Sequence, residues 1–252
     1  MRIAGLPLVS EGVRVYFSHR TILRTYLLIP ATLSVALIAA WPLGTPQAVL
    51  RGGAPTDPFT VVVVAFLLFS LYLCGRYGSE EYAPDALGNL REYVTLTPAS
   101  AGALVAGKAG FGILHTTFVL ALGAPFLLAA LSVSGTPPQA FVAALGVVAS
   151  SGIATRMFGL LLLALFGQRK LVRTAAFAGG TAISLVATFL ALPWLNPATA
   201  LLALGAGNAG APRHAGVLSL AALGAAVVMA VAAAMVLSAV RRGARTGSPA
   251  RG

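Results

Sequence analysis

The chain has 252 residues, of which 58% are hydrophobic and only 9% charged, and this excludes an ordinary soluble domain. The formal net charge is +11, but the basic residues flank apolar runs, which argues for a lipid bilayer and against nucleic acid as the partner. The single cysteine, Cys74, excludes an intrachain disulfide.

The first residues have no apolar core ahead of their charges, so they do not read as a cleavable signal peptide. Residues 5–24 read as an amphipathic helix. Leu6, Val9, Val13 and Phe17 share one side, with Glu11, Arg14 and Arg20 off it. Such a helix can lie in the headgroup plane, or simply be a solvated start to the first span.

Six windows are apolar over about the 20 residues that a transmembrane helix needs. They predict spans at residues 26–43, 59–75, 102–133, 140–166, 174–194 and 216–240. The third is long enough to tilt, and Pro125 removes one of its backbone hydrogen bonds. A basic tail, residues 241–252, is expected to be disordered. The expected class is therefore all-α: one six-span transmembrane domain over residues 1–252.

Six spans place both ends on one side, and basic residues choose the side. Arg2, Arg14, Arg20, Arg24, Arg76, Arg91, Lys108, Arg169, Lys170, Arg173, Arg241, Arg242, Arg245 and Arg251 fall together. Only Arg51 and Arg213 fall opposite, and Arg156 lies within a span. Both termini are expected to be cytoplasmic, in a plasma (inner) membrane.

The longest polar interruption is residues 76–108, and its first part, 76–100, is the loop between spans two and three. It holds Glu80, Glu81, Asp85 and Glu92. Pro84 suits a first helical position, and Asp85 suits the positive end of a helix dipole. Leu87, Leu90 and Val94 then recur at helical spacing. Thr97-Pro98 is expected to stop this helix and cap the next. The spacing is compatible with a surface helix that docks a partner and with one that meets none. On the docking model Leu87, Leu90 and Val94 hold the helix to the spans, while Asp85, Arg91, Glu92 and Tyr93 face the partner. The short Thr97-Pro98 turn would pass movement to the third span.

Two nucleotide-like strings are chance. Gly102 to Lys108 spells the start of a P-loop, but Ala109 stands where Ser or Thr must hold magnesium. Gly205 to Gly210 spells a dinucleotide fingerprint with no βαβ unit around it. His19, His115 and His214 lack metal-ligand spacing, and His115 reads as a buried, hydrogen-bonded side chain. No nucleophile–base set is visible, so no catalytic, cofactor or metal residue is assigned and no enzyme is expected. Arg156 differs, because a charge inside a span is a functional-site candidate by default. It adjoins Ser150, Ser151 and Thr155, and together they are the candidate translocation path. The other reading is that Arg156 snorkels to the membrane surface.

Leu96-Thr97-Pro98-Ala99-Ser100, followed by Ala106-Gly107-Lys108, resembles the loop of type-two ATP-binding-cassette (ABC) exporter permeases. Residues 195–204, beginning Leu195-Asn196-Pro197, resemble the segment that these permeases carry after their fifth span. Where the family has Gly-Thr-Leu-Glu, this chain reads Gly88-Asn89-Leu90-Arg91, with acidic Glu92 one place later. The resemblance implies a permease subunit without its own ATPase. A separate cytoplasmic ABC ATPase would dock on the loop at Asp85, Arg91, Glu92, Tyr93, Thr97 and Pro98. It also implies an N-terminal elbow helix, and a second permease copy or a similar permease as partner. A self-sufficient secondary transporter or channel is the alternative, although no acidic residue lies inside any predicted span. A membrane scaffold or assembly protein is a third reading.

Overall fold

The computed structural model describes residues 13, 20–41, 57–79, 90–167 and 169–246. Among these residues all regular structure is helical. The elements are α1 (Arg20–Ala40), α2 (Pro58–Ser79), α3 (Leu90–Leu96), α4 (Ala101–Val133), α5 (Gln139–Phe166) and α6 (Lys170–Ala191). A single 3-10 turn (Pro193–Leu195) then leads into α7 (Pro197–Gly205) and α8 (Ala211–Thr246).

Five helices, α2, α4, α5, α6 and α8, are long and apolar enough to cross a membrane. The apolar run of α1, Arg24–Ala40, is shorter. At the helical rise it covers roughly 25 Å, a little less than the ~30 Å hydrocarbon core. α4 has 33 residues and would extend roughly 50 Å, so it must tilt or emerge from the core. It continues through Pro125.

The bundle is built around α5, which packs on α8, α2, α4, α6 and α7. One apolar cluster joins α1, α2, α4, α5, α7 and the start of α8, and Phe59, Phe66, Leu67, Leu127 and Leu201 are among its fully buried members. A second joins α3 to the start of α4, the end of α5 and α8 through Val94, Leu104, Leu163 and Leu237. α6 is the exception, for no part of its apolar window is buried.

Several boundaries differ from the sequence reading. The second helix of the loop begins at Ala101, not Pro98, and its cap is Ser100, whose Oγ accepts from the Ala103 amide at 3.1 Å. Thr97 to Ala99 form the bend instead, and the Thr97 and Ala99 carbonyls accept from Arg241. α8 runs to Thr246, so the tail expected to be disordered from 241 begins as helix. α7 was not anticipated as a helix. Asn196 caps it, with Oδ1 accepting from Ala198 N at 2.9 Å, and Pro197 occupies the first turn.

The interfacial helix expected at 5–24 lies outside the described residues apart from Val13 and 20–24. Residues 80–89, with Pro84, Asp85 and Leu87, also lie outside them.

Candidate functional site

At one end of the bundle, arginines bind backbone carbonyls at the end of α5 and in the bend between α3 and α4. The last carbonyls of any α-helix have no intrahelical donor, and a cation there is favoured by the helix dipole. Arg91 of α3 meets this need for α5, because its Nε donates to Ala164 O at 2.9 Å and its Nη2 to Leu165 O at 2.5 Å. Arg241 of α8 donates to Ala99 O at 2.8 Å and Thr97 O at 3.2 Å. Arg173 of α6 donates to Gly167 O, just beyond α5.

Leu90 and Val94 are buried against α5 and α8, as their spacing predicts. Arg91 is turned inward onto α5 through these bonds, where the docking model had it facing a partner. Glu92 and Tyr93 lie in α3, and Asp85 is outside the described residues. Thr97 is half-buried and Pro98 exposed. The short helix is therefore riveted to α5 directly, and its following bend is riveted to α8.

The second feature is a polar node inside the bundle. Arg156 is 2% exposed, so it does not snorkel. Its Nη1 lies 2.8 Å from His115 Nδ1 on α4. A guanidinium can only donate, so Nδ1 accepts, and the His115 ring carries its proton on Nε2. The guanidinium carbon sits 5.3 Å from the Phe111 ring centroid, within cation–π range. Gly112 makes this approach possible, since a Cβ there would lie 2.7 Å from Arg156 Cδ. His115 also packs near Tyr26 of α1, with ring centroids 5.6 Å apart. The reading of His115 as a buried, hydrogen-bonded residue therefore holds.

The four residues of the candidate path do not share one surface. Ser151 and Thr155, one helical turn apart, line a cleft between α5, α6 and α8. Arg156 does not line it, because the next residue on a helix points about 100° away. Ser150 is buried, and its hydroxyl donates to Val147 O at 3.2 Å. Sequence proximity had grouped side chains that the helix sends to two faces. The cleft itself was missed, because its walls come from segments far apart in the chain.

The fold thus defines an all-helical protein with helices compatible with a membrane. Comparison with protein-family models, with curated proteins and with solved structures finds no match.

Proposed function

We propose that this chain is the membrane-spanning permease subunit of an ABC transporter of the exporter type. A separate cytoplasmic ATPase drives it. In this reading α1 completes six spans, both termini are cytoplasmic, and the host membrane is the plasma (inner) membrane. Two such subunits, identical or similar, form the path. The ATPase docks on residues 83–97, of which α3 is the described end.

One observation supports this most. α3 is fixed to α5 by Leu90, Val94 and the two Arg91 bonds, and its following bend is fixed to α8 by Arg241. A push on α3 is therefore a push on the two helices that pack most closely in the bundle. The motif resemblance supports the same reading.

The test is affinity purification of the chain from its own membranes in mild detergent. A nucleotide-hydrolysing subunit should co-purify, and Glu92→Arg should release it while insertion and yield stay at the parent level. Glu92 is the better choice for reversal, because reversing Arg91 would also break its bonds to α5. Absence of any ATPase from the native particle would defeat the reading and favour a self-sufficient transporter or a scaffold.

A further inference from the structure

The open cleft between α5, α6 and α8 has a volume of about 450 Å³. This is within the ordinary range for small-molecule sites, roughly 300–1,000 Å³. Each helix presents one stripe to it: Ser151, Thr155 and Phe158 on α5, Thr181, Ser184 and Thr188 on α6, and Leu218, Ala222 and Met229 on α8. Among the described residues its lining is apolar except for hydroxyls, and no charged side chain contributes to it.

Fixed posts hold the cleft open. Towards the Arg173 end, the Phe177 ring of α6 seats on Gly75 of α2, where a Cβ would lie 1.9 Å from the ring. Phe158 of α5 seats on Gly180 of α6 in the same way, at 2.9 Å, and the two rings are 5.9 Å apart. Phe158 lines the cleft at that end, with the Phe177 ring next to it. At the other end, Asn196 Nδ2 donates to Leu185 O at 2.9 Å and to Thr188 Oγ1 at 3.0 Å, tying α6 to the cap of α7. Between these posts α6 stands off α8 without extensive contact. The gap between α6 and α8 therefore faces sideways, towards the bilayer that these helices are suited to cross.

The geometry points to a binding site for an uncharged amphiphile dissolved in the bilayer, which enters sideways between α6 and α8. Thr155 donates its own proton to Ser151 O at 2.8 Å, so its oxygen remains able to accept from a ligand hydroxyl or amide. An ionised group would meet no counter-charge in this lining, and a charge at that depth is costly. The apolar walls Leu71, Phe158, Leu185 and Met229 suit a hydrocarbon body. This site rests only on the chain lying in a bilayer and goes beyond the transport reading.

The experiment uses the full chain in lipid nanodiscs, without ATPase or nucleotide. The probes are a diazirine-bearing monoacylglycerol and a fatty acid with the same chain and diazirine. Monoacylglycerol labelling should concentrate on peptides carrying Thr155, Thr181 and Ala222, and the ionised fatty acid should label them less. Ala222→Trp should cut that labelling by about tenfold, the effect of an overpacking penalty of ordinary size. Val228→Trp, on the exposed side of α8, should leave it unchanged. Mapping in the unaltered chain decides the matter even if Ala222→Trp folds poorly. Label spread evenly over all lipid-exposed faces overturns the proposal, as does equal labelling by the ionised acid. A Ser184→Cys chain lacking Cys74 should stay unlinked; spontaneous linkage to a second copy at Ser184→Cys would make the occupant another chain and overturn it too.

Discussion

Arg156 and His115 make a pair in which the two deletions are unequal. Replacing His115 by Phe leaves a buried guanidinium short of one acceptor. Replacing Arg156 by Met leaves only a neutral ring nitrogen without its donor. Hydrogen bonds to charged groups are worth about 1.5–3 kcal/mol, against about 1 kcal/mol for neutral ones. His115→Phe should therefore destabilise by about 2 kcal/mol or more, and adding Arg156→Met should recover part of that loss. Equilibrium unfolding of the three variants in detergent measures the coupling, and additive losses would show that the 2.8 Å contact contributes nothing. The sequence marked both residues, one as a charge within a span and the other as a histidine on an apolar helix. It did not show that they meet, because they stand on different helices and only the packing of α4 on α5 joins them.

At the scale of elements, the arginine bonds make α3 part of the bundle. Arg91→Ala removes both donors from the last turn of α5 and should speed amide exchange in α3 and at 163–167. The expected local loss is about 1–2 kcal/mol, whereas Glu92→Arg should leave exchange in that turn unchanged. Asn196 serves α6 and α7 in the same manner. Asn196→Ala removes an N-cap worth about 1 kcal/mol together with two donors to α6. It should raise exchange over residues 185–205 while α2 and α5 stay protected. Apolar period and length were enough to place the long helices, and α4 and α5 begin and end within a residue of the expected limits. Short elements were harder to read. α7 has nine residues and follows closely on α6, and the sequence reading placed 195–204 after the fifth span without assigning it a helix. Thr97 looked like a cap, but Thr and Ser both suit that role, and the choice fell to Ser100 once the Thr97 carbonyl was taken by Arg241.

Over the whole molecule, orientation follows from where the basic residues sit. Arg91, Arg173 and Arg241 bind carbonyls at a single end, where α3 meets the ends of α5 and α8. Arg169 and Lys170 lie exposed beside Arg173 at that end. Positive charge is retained on the cytoplasmic side during insertion, so this end should face the cytoplasm. Arg213 lies near the start of α8, at the opposite end of that helix from Arg241, and the sequence reading assigns Arg51 to the same side as Arg213. Two engineered cysteines in a protein lacking Cys74 test the orientation. Removing Cys74 should be tolerated, because it is a small buried group whose thiol makes a weak contact with the Thr116 hydroxyl at 3.8 Å. Leu171 is 86% exposed, so a Leu171→Cys thiol is accessible to any reagent present on its own side. Gly52 lies in the loop between the first two predicted spans. A membrane-impermeant maleimide added outside intact cells should modify Gly52→Cys and spare Leu171→Cys, and permeabilised cells should show both modified. Labelling of Leu171→Cys alone from outside would invert the protein. Since α3 would then face away from ATP, that single result would also remove the basis for an ATPase docking there.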